Sequence, residues 1–302
     1  MEKQLLLTLE KKVKKIKVEG FLISKEHQKV FEYLKNNKIY NKTSKVYSIT
    51  KTIVSLLIGI AIDRKYIESI HTPIYTFFPD LKDKKRDISL FHLLTMTSGL
   101  KVTNFQGSNN WVSTILAQPL VFEPGTTFQY NSGDSHVLSA ILSKITGKST
   151  EAFADEYLFG PLKIQKYLWV KDPQGINGGG FSVSLNMDDM LKVGTLLLDN
   201  GRYGKNQIVS TKWVNQMQST YKELETTEKG TYGYGYQVWT FKSNHDHNPI
   251  HFYYANGIYG QYIVVLPQLK VVAVIKSQLH SDTQALPMEY FQELITYMEN
   301  DI

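Results

Sequence analysis

Apolar residues near the start of the chain recur at helical spacing. Leu9, Val13 and Ile16 share one face of a predicted amphipathic helix, and lysines occupy its other faces. Two runs of alternating or continuous apolar character follow at 20–24 and 30–34, separated by polar residues. This pattern predicts a β-hairpin. We expect the helix to pack on a sheet, and the alternative is that its lysine face attaches to an anionic surface.

The segment from Ser48 to Arg64 is apolar almost all round, so it predicts a helix buried in the centre of the protein. Downstream, from about 71 to 218, helical patterns alternate with Gly, Pro and Asn turns. The predicted helices there are 88–96, 111–117, 135–146, 151–158 and 187–200. Short β-rich runs then follow at 234–241, 251–254, 261–266 and 271–276, and a helix is predicted at 283–299.

Strands at both ends enclose a helical middle. This order predicts one α/β (α+β) domain built from 1–70 and 225–302, with an inserted all-α domain at 71–224. The length of 302 residues is compatible with two domains of ordinary size.

Composition narrows the chemistry. The chain has no cysteine, which excludes disulfides, thiolate zinc sites, iron–sulfur clusters and a cysteine nucleophile. Its net charge of +6 comes mainly from lysine, with arginine only at Arg64, Arg86 and Arg202. Nucleic-acid readers rely on arginine contacts and aromatic platforms, so we expect no nucleic-acid partner and at most weak association with anionic surfaces.

No apolar run approaches the roughly 18 residues of a membrane span, and no secretory signal is visible. The expected location of the chain as written is cytoplasmic, or the cell envelope or secreted if a leader has been removed. The oligomeric state cannot be read from the sequence.

The pattern Ser-x-x-Lys occurs three times, at Ser48/Lys51, Ser98/Lys101 and Ser219/Lys222. Only Ser48 opens a strongly apolar helix, where free backbone N–H groups favour developing negative charge and residue i+3 shares its face. Burial there would lower the pKa of Lys51 and make it a proton acceptor for Ser48. The alternative is a capping serine beside a lysine that extends to solvent.

Further motifs follow Ser48 in order, and together they resemble the serine β-lactamase-like superfamily. This group includes class C β-lactamases, D,D-peptidases, esterases and 6-aminohexanoate-dimer hydrolases. The resemblance implies an antiparallel sheet flanked by the N- and C-terminal helices, a helical domain and a site between the two. The motifs are Ser48-Ile49-Thr50-Lys51, Leu93-Leu94-Thr95-Met96-Thr97-Ser98-Gly99, Glu123-Pro124-Gly125, Tyr130-Asn131-Ser132-Gly133, Gly178-Gly179-Gly180, Gly201-Arg202-Tyr203 and 256–263 with Pro267.

The resemblance also implies roles for individual residues. Ser48 would be the acylated nucleophile, and Lys51 and Tyr130 its proton-transfer partners. A cationic Lys51 is expected to favour the Tyr130 phenolate and bring its pKa down from about 10. The backbone N–H groups of Ser48 and Ile258 would form the oxyanion hole. The implied substrate-binding residues are Asn256, Gly257, Tyr259 and Ser132.

Two positions depart from the pattern of members that recognise β-lactams. The third motif reads Ala255-Asn256-Gly257, so its usual basic residue is absent, and Ser132 replaces the usual Asn. The cation that would hold a substrate carboxylate is therefore missing, unless His251 or a nearby lysine supplies one. These departures favour the esterase and 6-aminohexanoate-dimer hydrolase branch.

Several other residues have less specific patterns. The His245-Asp246-His247 sequence lacks a third ligand at recognisable spacing and predicts a solvated turn. The glycines at 178–180 predict a loop lining the pocket rather than a phosphate cradle. We expect His136 to be packed within a helix. Trp111, Trp239 and Tyr259 are predicted to be in the core or at the rim, with substrate contact as the alternative.

The sequence thus predicts a serine hydrolase that cleaves an amide or ester through an acyl-Ser48 intermediate, with no metal or organic cofactor. Its partner would be a small-molecule or peptide substrate. Two alternatives are a β-lactamase or D,D-carboxypeptidase and a non-catalytic penicillin-binding-like sensor or scaffold.

Overall fold

The computed structural model describes residues 2–244 and 249–299. Its ten helices over these ranges are α1 Glu2–Lys15, α2 Lys38–Asn41, α3 Ile49–Asp63, α4 Leu90–Leu94, α5 Trp111–Ala117, α6 Ser132–Thr146, α7 Thr150–Ala154, α8 Met187–Leu198, α9 Thr211–Gln218 and α10 Leu286–Glu299. A π-helical turn, Asp155–Phe159, continues α7.

Most strands belong to one large sheet. Its members are β1 Gly20–Lys25, β2 Gln28–Leu34, β8 Lys222–Thr226, β9 Gly230–Tyr234, β10 Trp239–Ser243, β11 His251–Gly257, β12 Gln261–Leu266 and β13 Val271–Lys276. The remaining strands are β3 Ser44–Lys45, β4 Leu168–Trp169, β5 Val183–Leu185, β6 Arg202–Tyr203 and β7 Asn206–Gln207.

The large sheet is antiparallel throughout, in the order β2-β1-β13-β12-β11-β10-β9-β8. Its central strands β12 and β13 are buried at every position, as their continuous apolar sequences predict. The expected antiparallel sheet is therefore confirmed.

Helices cover both faces of the sheet. On one face, α1 and α10 pack through residues such as Val13 and Phe291 against Phe21, confirming the expected flanking terminal helices. On the other face lie α8 and the buried helix α3. At Gly194 of α8 a Cβ atom would come within 2.5 Å of Val272, so glycine permits close helix–sheet approach.

The middle of the chain is mainly helical, as predicted, and its strands β4 to β7 belong to two small sheets. One has the order β3-β5-β4 and the other pairs β6 with β7. The pairing of β3 with β5 ties the segment before Ser48 to the segment after the glycine loop at 178–180. The division into 1–70 with 225–302 and 71–224 stays a prediction.

The interpretation of 234–241 as one β-rich run is wrong. The chain turns at 235–238 and separates β9 from β10. Gln237 has a φ of +60°, and its buried side chain donates to the carbonyls of Leu93 and Leu94 and accepts from Ser135. These long-range bonds hold the turn against the helices.

Two further sequence predictions concern membrane crossing and metal binding. Within the described ranges, no helix has the length and apolar character that crossing a membrane requires. The His245-Asp246-His247 sequence lies outside the described residues.

Candidate functional site

Ser48 stands at the amino end of α3, immediately after a residue in a left-handed conformation. Tyr47 has a φ of +49°, which is uncommon for a bulky side chain and is found most often where the surroundings enforce it. Ser48 occupies the N-cap position, yet its hydroxyl makes no capping hydrogen bond. The alternative interpretation of Ser48 as a capping serine is therefore wrong, and the hydroxyl is available for other contacts.

Lys51 lies one turn along α3 with only 1% of its surface exposed, so it does not extend to solvent. Its Nζ is 3.1 Å from Ser48 Oγ, 3.1 Å from Ser132 Oγ and 2.6 Å from the Gly180 carbonyl oxygen. Burial lowers the pKa of Lys51 to about 7, in the direction that the apolar sequence of α3 predicts. A substantial fraction of this amine is therefore neutral near pH 7.

Tyr130 lies against Lys51 and is half-buried. Lys51 Nζ is 4.9 Å from the centre of the Tyr130 ring, and the Trp239 ring stacks on Tyr130 at 5.5 Å. Burial raises the pKa of Tyr130 to about 12, although a hydrogen bond with Ser48 acts to lower it. The expectation of a lowered phenol pKa is thus wrong, because burial outweighs the polar contacts.

Ser132 is the first residue of α6, which begins one turn earlier than predicted. The Asn131 side chain caps this helix by accepting from the Gly133 amide at 2.9 Å. Ser132 thereby faces Lys51 across the site, although the two residues are 81 positions apart. Tyr130 and Ser132 both lie at the amino end of α6, next to Lys51. The Tyr130-Asn131-Ser132-Gly133 motif is therefore in contact with the Ser48-Ile49-Thr50-Lys51 motif.

The third motif ends strand β11 beside the segment that precedes Ser48. A Cβ atom at Gly257 would come within 2.3 Å of the Val46 carbonyl oxygen, so only glycine allows this approach. In the following turn, the Tyr259 ring packs edge-on against Tyr47 at 5.1 Å. Ile258 is 49% exposed at the tip of the same turn.

Two backbone amides in this region have no hydrogen-bond acceptor. Neither the Ser48 nor the Ile258 N–H donates to any group in the part of the chain that the structure describes. In the same ranges the Asn256 side chain makes no hydrogen bond, and Ala255 is buried. The predicted oxyanion donors are therefore free.

Sequence reasoning placed the glycine loop at the pocket but missed its specific contact with Lys51. The Gly180 carbonyl accepts from Lys51, and the Gly179 amide donates to the ring of buried His136. A Cβ atom at Gly179 would lie 2.1 Å from the Ser135 carbonyl oxygen. The glycine run was the available signal, since it permits backbone to lie directly on α6. Tyr47 carried no comparable signal.

His136 and Trp111 are in the core, whereas Trp239 lies at the rim. His136 is buried, and its Nε2 is 3.1 Å from Asp172 Oδ2. Trp111 packs 5.1 Å from the His136 ring. Trp239, stacked on Tyr130, is partly exposed.

His251 and the two other Ser-x-x-Lys patterns are the remaining candidates from the sequence. His251 begins β11, four residues or about 13 Å from Ala255, and burial lowers its pKa. The Ser98 hydroxyl donates to Asp134 rather than to Lys101. Lys222 donates to the Gly125 carbonyl. At about 13 Å along the strand, His251 does not replace the missing cation of the third motif.

A cavity of about 200 Å³ adjoins Tyr130 and Ser132. Among the described residues, no charged side chain lines it. Its remaining lining is Val102, Thr103, Asn104, Phe105, Gln106, Asn131 and Phe181. The cavity is thus suited to an uncharged group next to the predicted nucleophile.

Comparisons with known proteins identify relatives of this chain. A 6-aminohexanoate-dimer hydrolase from Paenarthrobacter ureafaciens is 22% identical over 245 residues, covering 74% of this chain. The chain spans 62% of the length of that relative.

Two solved structures share the fold. The octameric penicillin-binding protein homologue from Pyrococcus abyssi has a TM-score of 0.78 at 18% identity, covering 97% of this chain and 77% of that one. The class C β-lactamase from Rhodobacter sphaeroides has a TM-score of 0.74 at 14% identity, covering 97% and 99%. The family model described as Beta-lactamase matches residues 41–295. The chain therefore belongs to the Beta-lactamase family, and the resemblance to the serine β-lactamase-like superfamily is confirmed.

Proposed function

We propose that the chain is an acyl-serine hydrolase that cleaves an amide or ester bond. The observation that carries the proposal is the buried Lys51 amine, 3.1 Å from the uncapped Ser48 hydroxyl and with a pKa lowered to about 7. A nucleophilic serine needs a neighbouring base that is neutral at working pH, and burial gives Lys51 that property.

In the first step Ser48 Oγ attacks the substrate carbonyl and its proton passes to Lys51 Nζ. A neutral amine has two donors and one lone pair. One donor goes to the Gly180 carbonyl and the other to Ser132, which leaves the lone pair for the Ser48 hydroxyl. The three contacts are therefore compatible with the base form of Lys51, in which the Ser48 hydroxyl donates to the lone pair, as well as with the ammonium that forms after proton transfer.

The free amides of Ser48 and Ile258 would hold the oxyanion that develops on the substrate. Backbone donors fixed in advance stabilise such charge without reorganisation. Gly257 supports this role because it lets the end of β11 lie against Val46. The role needs only the backbone, so Ala255 does not remove it.

Tyr130 acts as a neutral phenol in this proposal. A pKa of about 12 excludes appreciable phenolate at pH 7, so the residue is a proton donor rather than a base. In deacylation, water attacks the acyl group and gives a proton to Lys51. The phenol protonates the departing Ser48 oxygen, and Lys51 returns a proton to Tyr130 through the Ser48 hydroxyl.

The substrate proposed is an amide or ester without a carboxylate that must be held by a cation. Ala255 offers no charge, and no charged side chain lines the adjoining cavity. The relative from Paenarthrobacter ureafaciens is named for a 6-aminohexanoate dimer. We extend to this chain only the broader class of small amides and esters.

Intact-protein mass spectrometry after incubation with a fluorophosphonate tests the proposal. We expect one adduct per chain, lost in Ser48→Ala and retained in Ser113→Ala, which changes an exposed serine on α5. A penicillin is run in parallel. An adduct with both reagents would favour a β-lactamase or D,D-carboxypeptidase. No adduct with either would favour a non-catalytic binding module and contradict the proposal.

A further inference from the structure

Lys51 contacts two hydroxyl groups at the same distance. Its Nζ lies 3.1 Å from Ser48 Oγ and 3.1 Å from Ser132 Oγ. The third neighbour, the Gly180 carbonyl, can only accept and so takes no part in moving a proton onward. Among the hydrogen-bond partners of Lys51 in the described ranges, a proton received from Ser48 therefore has one new hydroxyl to which it can pass, that of Ser132.

Tyr130 is less well placed to take that proton from Lys51. The amine lies over the face of the Tyr130 ring, 4.9 Å from its centre. Among the described residues, no hydrogen bond joins Lys51 Nζ to the Tyr130 hydroxyl. The interaction between them is of the cation–π type, which stabilises charge on the amine but offers no path for its proton.

Ser132 also lines a cavity, and Ser48 is not one of the lining residues of that cavity. It lines the cavity of about 200 Å³ together with Tyr130 and Phe181. Its backbone is fixed by the Asn131 cap of α6, and at Gly180 a Cβ atom would come within 3.0 Å of Ser132 Cβ. The hydroxyl is thus held between the amine and the cavity by rigid backbone on both sides.

We propose that Ser132 is a catalytic residue that relays a proton from Lys51 to the leaving group. The inference rests on the proposed acyl-serine mechanism and adds to it the general acid of the acylation step. When the tetrahedral intermediate collapses, the bond from carbon to the leaving nitrogen or oxygen breaks. That atom takes the Ser132 hydroxyl proton, and Ser132 Oγ simultaneously takes a proton from the Lys51 ammonium. Lys51 returns to the neutral amine, and no other reactant is needed.

The relay explains why a hydroxyl at 132 suits this chemistry. A side-chain amide at this position could accept from Lys51 through its oxygen, but its N–H donors belong to a different atom. It would hold Lys51 without passing the proton on. A hydroxyl accepts and donates at one oxygen, so only Ser or Thr combines both functions here.

Leaving-group dependence tests the relay. Matched substrates share one acyl group and differ in the leaving group: a p-nitrophenyl ester, which departs without a proton, and an alkyl ester and an anilide, which need one. We expect Ser132→Ala to lower kcat/KM for the alkyl ester and anilide by about 100-fold or more. The p-nitrophenyl ester should lose less than about tenfold. Ser132→Asn should resemble Ala, and Ser132→Thr should restore turnover of the alkyl ester.

Several outcomes would overturn the relay. An equal loss on all three substrates would make Ser132 a positioning residue, and no loss on any would remove it from the reaction. Selective loss in Tyr130→Phe but not in Ser132→Ala would transfer the role to Tyr130. Acyl-Ser48 formation from the p-nitrophenyl ester is followed by mass spectrometry in every variant. If wild type neither forms an adduct nor releases p-nitrophenol, the proposed hydrolase is wrong and the relay is wrong with it. If wild type does either, a lack of selectivity contradicts the relay alone.

Discussion

At the scale of single residues, the site depends on an amine that the fold keeps out of water. Lys51 makes only contacts that a neutral amine can satisfy, and it faces no carboxylate among its hydrogen-bond partners in the described ranges. Desolvation without a compensating negative charge lowers a lysine pKa. Reactivity at Ser48 should therefore follow the titration of Lys51.

Labelling of Ser48 by a fluorophosphonate should accelerate as pH rises through 7. The neutral amine is the reactive form, so the rate constant should increase about tenfold from pH 6 to a plateau above pH 8. Stopped or quenched time courses followed by intact mass measure this rate. A rate independent of pH across this range would contradict Lys51 as the base.

The control is Lys51→Met, which should label slowly at every pH. It should also unfold at a higher temperature than wild type at pH 6. The pKa of Lys51 is lower in the folded state than the unfolded value of 10.5. Burial of the ammonium therefore has its full destabilising effect below about pH 7, and this effect declines as pH rises towards 10.5. The gain in stability should accordingly shrink at pH 9.

At the scale of elements, the Tyr130–Ser132 segment is held on the turn that follows α4. The Gln129 amide donates to the Met96 carbonyl, and Ser98 donates to Asp134 at 2.7 Å. The Asn131 side chain also donates to the Leu100 carbonyl. Ser98, the serine of the second Ser-x-x-Lys pattern, therefore has a structural role, because its hydrogen bond to Asp134 anchors the amino end of α6.

Burial of the Asp134 carboxyl should lower the free energy of unfolding, and the size of this effect should depend on pH. The carboxyl is fully buried, and its Oδ2 has no hydrogen-bond partner among the residues that the structure describes. Burial raises the pKa of Asp134 to about 8 despite the Ser98 hydroxyl and amide. The folded state therefore retains a proton that the unfolded state releases near pH 3.8, so stability falls as pH rises from 3.8 to 8. Asp134→Asn removes this dependence.

Thermal unfolding of Asp134→Asn and wild type at pH 5 and pH 9 measures the effect. We expect the stability of the variant relative to wild type to improve by about 2 kcal/mol or more at the higher pH. Asp282→Asn, at an exposed carboxylate, should show no such change. A difference independent of pH would mean that Asp134 is already ionised in the folded state.

At the scale of the whole molecule, local pattern predicted the elements and long-range contacts decided the site. The continuous apolar runs of β12 and β13 and the apolar α3 sequence were sufficient to identify these elements. The turn at Gln237 was missed because bonds to α4 and α6 impose it, and no local signal reports such bonds. The contact between Lys51 and Gly180 joins residues 129 positions apart.

The same limit explains the error on Tyr130. The family resemblance placed a lysine beside a phenol and suggested charge stabilisation. Only the folded structure shows that both groups are withdrawn from water, so that the lysine pKa falls and the phenol pKa rises. Burial reverses the expected electrostatics because it disfavours both charged forms.

The sheet lies between the terminal helices, which contribute to stability, and the site around Ser48. A mutation on the terminal-helix face should therefore change stability without changing the reactivity of Ser48. Phe291 of α10 is 1% exposed and packs on Phe21, on the face opposite α3. Phe291→Ala should lower the free energy of unfolding by about 3–5 kcal/mol through loss of buried contacts and creation of a cavity. The rate of Ser48 labelling per folded molecule should stay within about twofold of wild type, because the two sites share no contact.

Urea unfolding and labelling of the same preparation test this separation. Leu7→Ala, at a position 44% exposed on α1, is the matched control and should change stability by less than about 0.5 kcal/mol. If Phe291→Ala slowed labelling in proportion to its loss of stability while the protein remained folded, the terminal-helix face would be coupled to the site. The sheet would then transmit strain from α10 to Ser48 rather than isolate the two faces.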